Sequence, residues 1–268
     1  MLDYNEICLK VTEISKTAGN FIRKEKGKIT AENIETKGLN SLVTYVDKTA
    51  EKLIIDALKK LIPEAGFITE EGTETKQAEI FNWIVDPLDG TTNFIHGLEP
   101  FAVSIALKEN DEIVAGVVYE IGKDECFYAC KNAPAYLNGN EIKVTKIDKL
   151  SDSLVATGFP YYDFSENKAI LASLEYFMKN SHGIRRLGSA ATDLVYVACG
   201  RLEAFYEFGL SPWDVAAGVF IVQQAGGKVC DFNKNDNYIF GREIVAANSA
   251  VFDEFSDVIK NFLGGKTN

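Results

Sequence analysis

The segment Trp83–Gly97, with the sequence WIVDPLDGTTNFIHG, constrains the fold of this chain more than any other stretch. Its first three residues, Trp83–Val85, are large side chains that are typical of a buried strand. Asp86 follows them directly, and Pro87 then fixes φ and removes a backbone donor, so we expect the strand to stop there. The sequence therefore predicts a buried strand that presents an aspartate at its end.

The loop after this strand is rich in oxygen ligands. Asp89 follows Asp86 by three residues, and Gly90, Thr91 and a second threonine come next. Carboxylate and hydroxyl oxygens at this density suit a hard cation such as Mg²⁺, and a glycine lets the backbone approach an anion. The same residue types also form ordinary turns, so the loop predicts metal-assisted phosphate chemistry only if further acidic groups join it.

Composition excludes several classes of protein. A net charge of −11, from 28 basic and 39 acidic residues, argues against generic binding to nucleic-acid phosphates. No apolar run approaches the length of a membrane span, and the first residues are not those of a signal peptide. Five scattered cysteines predict reduced thiols in a cytoplasmic protein, and Cys126 and Cys130 lack the second ligand pair of a zinc site.

The hydrophobic pattern predicts a mixed α/β or α+β protein in one domain, with two packed halves that meet near residues 140–155. The first half begins with two amphipathic helices, at about 4–26 and 42–61, joined by a polar connection at 32–41. Strands follow, at about 66–69, 83–85, 101–107, 112–121 and 125–131. In the second half strands and helices alternate, with helices at about 166–178, 190–199, 212–225 and 251–263.

Four acidic residues outside the central loop are candidates for the same site. Asp47 lies near the start of the second predicted helix, where a carboxylate also favours the helix dipole. Glu70 and Glu71 end a strand, and such adjacent like charges repel each other unless solvent or a cation intervenes. Asp214 lies in the first turn of a helix that begins at Pro212.

Other phosphate and hydrolase motifs fail on spacing. Covalent aspartyl chemistry is disfavoured because Asp86 and Asp89 are one residue further apart than the two aspartates of an aspartyl-phosphate phosphatase loop. The glycine-lysine-threonine run near residue 266 lacks the first glycine of a P-loop. The helix start at Gly188-Ser189 suits either an anion or an ordinary N-cap.

The chain resembles the inositol monophosphatase family of Mg²⁺-dependent, lithium-sensitive phosphatases. Two stretches match the central family motifs, Trp83–Asn93 (WIVDPLDGTTN) and Pro212–Gly227 (PWDVAAGVFIVQQAGG). Phe67–Glu71 matches the Glu-Glu segment, and Leu42–Asp47 and Gly188–Ala191 are weaker matches. Their order along the chain is that of the family, so the resemblance implies the family's layered αβαβα sandwich and, commonly, a homodimer.

The resemblance also implies a metal centre with two to three Mg²⁺ ions. One ion would be bound by Glu70, Asp86 and the backbone carbonyl of Leu88. A second would be bound by Asp86, Asp89 and Asp214. A third, weaker ion would involve Glu70 through waters, which gives this glutamate a catalytic as well as a ligand role.

Catalytic and substrate-binding roles follow from the same resemblance. Asp47 and Thr91 would orient and activate the attacking water, and the N–H groups of Gly90 and Thr91 would hold the phosphate. The remaining substrate contacts would come from Gly188, Ser189, Ala190, Glu207 and Asp214. Glu207 suits the hydroxyl groups of a sugar or an inositol.

The resulting functional hypothesis is a cytoplasmic Mg²⁺-dependent phosphomonoesterase that acts on myo-inositol 1-phosphate. Fructose-1,6-bisphosphatase or dual sugar phosphatase activity is the main alternative, and histidinol phosphate and 3′-phosphonucleotides are further candidate substrates. Some bacterial relatives act in RNA or transcription complexes, which keeps a regulatory role open. The acidic charge makes nucleic acid an unexpected partner, and no membrane contact is expected.

Overall fold

A computed structural model describes residues 2–38, 41–160, 164–165 and 167–265, and these form three sheets and seven α-helices. The helices are α1 Tyr4–Glu25, α2 Tyr45–Leu61, α3 Thr91–Ile95, α4 Asn167–Asn180, α5 Ala190–Ala198, α6 Pro212–Gln224 and α7 Phe252–Leu263. The first nine strands are β1 Ile34–Gly38, β2 Ser41–Thr44, β3 Gly66–Thr69, β4 Phe81–Asp89, β5 Ala102–Glu109, β6 Glu112–Glu120, β7 Glu125–Cys130, β8 Ala135–Leu137 and β9 Asn140–Ile142. The other five are β10 Leu154–Thr157, β11 Gly183–Arg185, β12 Ala204–Phe208, β13 Lys228–Cys230 and β14 Glu243–Ala247.

The helices and sheets stack in five layers, because each layer covers an apolar face of the next. Helices α1 and α2 pack on one face of a seven-stranded sheet with the order β3-β4-β5-β6-β7-β8-β9. Helices α5 and α6 lie between this sheet and a five-stranded sheet with the order β11-β10-β12-β14-β13. Helices α4 and α7 cover the outer face of the smaller sheet. The predicted αβαβα sandwich is thus confirmed.

Helix α6 has no polar stripe because it packs against a sheet on each side and against α5 within its own layer. Its residues from Val215 to Val222 are all buried. A helix that is apolar on all sides belongs in the interior of a layered protein, whereas α1 carries one apolar face and one charged face. Because α6 is held in the interior, the position of its first turn, which contains Asp214, is also fixed.

Two predicted elements differ from the structure. The helix predicted at 42–61 begins at Tyr45, because Ser41–Thr44 forms strand β2 and Thr44 caps the helix. The connection predicted at 32–41 contains a strand, since β1 pairs antiparallel with β2. Residues 39 and 40 lie outside the described residues. The apolar positions of β2 continue the helical spacing of α2, which explains why periodicity alone misplaced the boundary.

Strand β4 also runs further than predicted. It continues through Pro87 to Asp89 instead of stopping at the proline. The pairing with β5 shifts between Asp86 and Asp89, and Asp89 then pairs with Ala102. This irregularity lets the strand pass a residue that cannot donate a backbone hydrogen bond, and it turns both aspartates toward one end of the sheet.

The chain leaves the large sheet at Ile142 and enters the smaller one at Leu154. A division into two packed halves within one domain stays a prediction. Within the described part of the chain, all five cysteines are free thiols. Among the same residues, no helix combines the length and the apolar character that crossing a membrane requires.

Candidate active site

Parallel pairing of β3 with β4 brings Glu70 beside Asp86. Thr69 lies opposite Val85, and the N–H of Glu70 donates to the Val85 carbonyl at 3.2 Å. Parallel strands end at the same edge of a sheet, so the residues that follow Thr69 and Val85 emerge together. The two carboxylates are close enough that Glu70 raises the pKa of Asp86.

The N-terminus of α6 supplies a further carboxylate. The N–H of Ser211 donates to Asp214 Oδ2 at 2.7 Å in a capping box, which fixes the aspartate in the first turn. The Ser104 hydroxyl of β5 donates to the Trp213 carbonyl at 3.1 Å and ties this turn to the large sheet. As a result, one carboxylate oxygen from each of Asp86, Asp89 and Asp214 lies within 4.8 Å of the others.

Asp89 is held from its other side by the start of α5. One oxygen, Oδ2, accepts from the Ser189 hydroxyl at 2.6 Å and from the Ala191 N–H at 2.7 Å. Ser189 is also the N-cap of α5, with its hydroxyl accepting from the Thr192 N–H. Both alternatives for this helix start therefore apply, because it is capped and the anion at its N-terminus is the carboxylate of Asp89.

The electrostatics of this cluster favour protonation when no cation is bound. Burial and repulsion from Glu70, Asp89 and Asp214 raise the pKa of Asp86 well above its usual range. Burial raises the pKa of Asp89 to about 6, although the bonds from Ser189 and Ala191 oppose this. Burial and repulsion from Asp89 raise the pKa of Asp214 to about 7.

Asp47 and Thr91 are joined beside the carboxylate cluster. The Thr91 hydroxyl oxygen lies 2.9 Å from Asp47 Oδ1 and 2.9 Å from the Leu88 carbonyl. Asp47 Oδ2 accepts from the N–H and the hydroxyl of Thr44, at 2.8 and 2.7 Å. The capping box of α2 and the predicted pairing with Thr91 thus use different oxygens of one buried carboxylate. Burial raises the pKa of Asp47, and the bonds from Thr44 and Thr91 limit the rise.

The backbone at Gly90 lies close to two other segments of the site. Its φ is 91°, in the left-handed region, and an added Cβ would lie 3.1 Å from the Pro100 carbonyl and 3.2 Å from the Gly188 carbonyl. The Asn93 amide donates to the carbonyls of Pro100 and Leu187, both at 2.8 Å. This amide holds the loop after β4 against the segment that leads into α5.

Glu207, near the end of β12, is a further buried acid, close enough to Asp214 and Asp89 that both contribute to raising its pKa. It is buried, and an added Cβ on Gly158 would come within 1.8 Å of its Oε1, so its carboxyl rests on the Gly158 backbone. Burial raises its pKa to about 8, and Arg186 opposes this rise. Arg186 is exposed and lies over the Phe159 ring, 5.9 Å from its centroid. The segment at 158–164 is predicted to help shape the leaving-group pocket, and its residues 161–163 lie outside the described residues.

The match to known sequences decides the family. The model of the inositol monophosphatase family matches residues 4–260, nearly the whole chain. The chain belongs to the inositol monophosphatase family. This confirms the resemblance read from the motifs, and it places the carboxylate cluster in a family of metal-dependent phosphatases.

Relatives of the chain carry two kinds of name. It is 40% identical over 256 residues to "Nus factor SuhB" of Haemophilus influenzae, covering 95% of this chain and 96% of the relative. It is 36% identical over 257 residues to "Inositol-1-monophosphatase" of Mesorhizobium japonicum, covering 96% and 97%. The structure of extragenic suppressor protein suhB from Bartonella henselae superposes with a TM-score of 0.90, at 36% identity, over 95% of this chain and 98% of that one.

Sequence reasoning missed one residue that supports this family site. Glu51 is fully buried on α2 and accepts from the N–H groups of Glu71 and Thr73, at 2.8 and 2.7 Å. Its carboxylate thereby holds the turn that follows Glu70. The available signal was its spacing, since Glu51 lies one helical turn after Asp47 on the buried face of α2.

Proposed function

We propose that this chain is a cytoplasmic Mg²⁺-dependent phosphomonoesterase that hydrolyses myo-inositol 1-phosphate to inositol and phosphate. The observation that carries the proposal is the convergence of Asp86, Asp89 and Asp214 within 4.8 Å. Membership of a phosphatase family and the relative named inositol-1-monophosphatase support it.

The chemistry of the donor set fits Mg²⁺. Every donor in the cluster is an oxygen, as hard cations require, and the set offers no thiolate or imidazole. Arg186 and Arg242 lower the pKa values of Asp89 and Asp214 less than burial raises them, so the cluster retains a deficit of positive charge. We propose that Glu70, Asp86 and the Leu88 carbonyl hold one ion, and that Asp86, Asp89 and Asp214 hold a second. A third ion would contact Glu70 through waters.

Asp47 and Thr91 would handle the attacking water. The Thr91 hydroxyl has one proton and two acceptors at 2.9 Å, Asp47 and the Leu88 carbonyl. When it donates to Asp47, its oxygen is left as an acceptor for a water proton. The chemistry that Mg²⁺ supplies when bound is positive charge beside the phosphoryl oxygens and a more acidic water. Asp47, with a raised pKa, is the group to which the proton passes through Thr91.

Backbone N–H groups would bind the phosphate, and a buried carboxyl group would bind the alcohol. We propose the N–H groups of Gly90 and Thr91 for the phosphate, since the left-handed glycine begins α3 beside Asp89. Glu207 would bind the hydroxyl groups of the alcohol. The predicted substrate contacts of Gly188, Ser189, Ala190 and Asp214 stay part of this proposal, with the side chain of Ser189 acting through Asp89.

A substrate panel tests this function. Phosphate release should be measured from inositol 1-phosphate, fructose 1,6-bisphosphate, histidinol phosphate and a 3′-phosphonucleotide, each with Mg²⁺ and with a chelator. We expect Mg²⁺-dependent release, fastest from inositol 1-phosphate. Faster release from the bisphosphate would instead favour the sugar phosphatase alternative. No release from any of the four would refute a phosphatase.

The increase in thermal stability that Mg²⁺ causes should depend on pH. In metal-free protein the raised pKa values of Asp89 and Asp214, about 6 and 7, mean that the folded state holds protons that the unfolded state releases above about pH 4. Their contribution to stability is therefore full below about pH 4 and is lost as the pH rises through 7. Saturating Mg²⁺ should raise Tm by about 5–10 °C at pH 8 and by much less at pH 5, measured by calorimetry. An equal or larger increase at pH 5 would contradict the assignment.

The relatives named Nus factor SuhB support a second proposal, a role in a transcription complex. With a net charge of −11, we propose that contacts in such a complex are made with protein and not with RNA directly. Binding of RNA at physiological ionic strength that weakens with added salt would contradict this preference. The phosphatase proposal does not depend on whether RNA binds.

We also propose that the protein is a homodimer. Leu171 and Met178 of α4 are 63% and 65% exposed, and their spacing of seven residues puts them on one face of the helix. Exposed apolar groups of this kind are typical of contact surfaces. Light scattering on the purified chain should give twice the monomer mass of 29.6 kDa, and Leu171→Glu should lower it.

A further inference from the structure

The two carboxylate oxygens of Glu51 are bonded to the chain on both sides of Glu70. Oε2 of Glu51 accepts from the Glu71 N–H at 2.8 Å. Its Oε1 accepts from the Thr73 N–H at 2.7 Å and from the Thr69 hydroxyl at 3.2 Å. The residue before Glu70 and the residue after it are therefore both tied to one side chain of α2.

Helix α2 holds the Glu51 side chain in place. Glu51 is fully buried, and it lies on the same buried face of the helix as Ala50 and Ile54, which are also fully buried. The helix is fixed at its start by the capping box of Thr44 and Asp47. A side chain that is packed on a rigid helix positions its bonded partners more precisely than a loop residue does.

The turn after β3 lies at the surface beyond Glu70. The N–H of Glu70 donates to the Val85 carbonyl at 3.2 Å, so the end of the strand is attached to β4. Gly72 and Thr73, which come next, are exposed. Exposed turns with few buried contacts are the parts of a protein that open most readily. The bonds to Glu51 therefore connect an exposed turn to the buried face of α2.

Among the residues proposed to hold cations, Glu70 alone lies on this turn, whereas the others belong to β4 or to the first turn of α6. We propose that Glu51 is a positioning residue that holds Glu70 beside Asp86 and so sets the affinity for the cation that these two residues share. The cation proposed to be bound by Asp86, Asp89 and Asp214 would not depend on Glu51. This inference rests on the proposed metal-dependent function.

Glu51→Gln tests this role because it keeps the size of the side chain. The amide retains one acceptor oxygen, but its nitrogen then faces the N–H of either Glu71 or Thr73, and two donors cannot bond to each other. Water can reach this turn, so it should loosen without unfolding the protein. Calorimetric titration with Mg²⁺ alone should show one cation bound about 10–100-fold more weakly, as is typical when a group that orients a metal ligand is lost. The other cation should keep its affinity within about twofold.

Kinetics should show the same separation. The Mg²⁺ concentration that gives half-maximal phosphate release should rise in Glu51→Gln by the same factor as the dissociation constant. At saturating Mg²⁺, kcat should return to within about threefold of the wild-type value, because the ligands themselves are intact. Asp56→Asn, which removes a carboxylate from the exposed face of the same helix, is the matched control and should change neither quantity.

A double-mutant cycle distinguishes positioning of Glu70 from a general structural role. In a Glu70→Gln background, Glu51→Gln should change the remaining affinity for Mg²⁺ by less than about twofold, because its effect passes through Glu70. Unchanged Mg²⁺ affinity in Glu51→Gln, or equal weakening of both cations, would overturn the inference, even if Tm in chelator falls.

A second variant keeps the test decisive if Glu51→Gln does not fold. Thr69→Val removes only the hydroxyl that donates to Glu51 and should weaken the same cation by about threefold. An unchanged affinity in Thr69→Val would then overturn the inference. If the wild-type protein binds no Mg²⁺ at all, the proposed metal centre itself is refuted, which is a different result from a change confined to the variants.

Discussion

Asp86→Asn is expected to lower kcat/KM for inositol 1-phosphate by about 10³-fold or more, while the protein keeps its fold. The side chain is buried close to Glu70, Asp89 and Asp214, and in the proposed metal centre it is the carboxylate that both cations share. Loss of a residue that only orients a metal ligand already costs about 10–100-fold. Loss of a shared ligand should cost more, and phosphate-release assays over a range of Mg²⁺ concentrations would measure it.

Stability measurements show whether such a loss reflects the site or the fold. The pKa of Asp86 is raised by burial and by repulsion from three acidic neighbours, so a neutral amide removes a destabilising group from the metal-free protein. Its Oδ1 accepts from the Leu88 N–H at 2.9 Å, a bond that an asparagine oxygen can keep. We therefore expect Tm in chelator to be unchanged or higher, and the increase on adding Mg²⁺ to disappear.

Asp111→Asn is a matched control for this substitution. Asp111 lies in the exposed turn between β5 and β6 and forms an ion pair with Lys108, at 3.3 Å. It should keep full activity and the full stabilisation by Mg²⁺. Substantial Mg²⁺-dependent turnover by Asp86→Asn would show that this residue is not the bridge between the cations.

Local sequence was sufficient for the elements that carry the site. The strand before Asp86, the start of α6 at Pro212 and the start of α5 at Ala190 all follow from side-chain size, proline and capping preferences. These signals act between neighbouring residues, so they can be recognised without knowledge of the fold. The end of β4 was misplaced, because a shift in pairing with β5 compensates for the missing donor of Pro87.

The neighbours of each carboxylate could not be derived from local pattern. Glu70 reaches Asp86 only because β3 pairs parallel with β4, and Asp89 meets Ser189 across 100 residues of sequence. Family resemblance grouped Glu70 with Asp86, but it did not indicate that Asp89 occupies the N-terminus of α5. Long-range pairing depends on the packing of whole layers, which a single sequence does not display.

The buried acids Asp193 and Glu51 can be recognised in the sequence from their spacing along a helix. Each is an acidic residue on the buried face of a helix, at a spacing of four residues from a site residue, Ser189 or Asp47. Burial of an unpaired acid costs several kcal/mol on typical scales, roughly 2–7 for a polar group and more for a charge. An acidic residue within an apolar stripe therefore indicates a specific partner, and for Glu51 that partner is the turn after Glu70.

Thr91→Ala is expected to lower kcat by about 10²–10³-fold with little change in KM. The Thr91 hydroxyl is the only group of the proposed water-activating pair that can pass a proton to Asp47, whose Oδ1 lies 2.9 Å away. Proton transfer by a positioned group typically contributes about 10²–10⁴-fold to rate. Thr91→Ser keeps the hydroxyl and should stay within about tenfold of the wild-type protein. Steady-state kinetics with saturating Mg²⁺ would measure both.

Asp47→Asn separates the cap of α2 from the chemistry. An asparagine oxygen at the position of Oδ2 can still accept from the Thr44 N–H and hydroxyl, so the capping box and Tm should change little. Its amide nitrogen would then face Thr91, and because it donates instead of accepting, the threonine proton can no longer pass to residue 47 and is left with the Leu88 carbonyl as its acceptor. The kcat of Asp47→Asn should therefore fall to the level of Thr91→Ala. The double variant should fall no further, because the two residues act as one unit; multiplicative losses would mean that Asp47 and Thr91 serve separate steps.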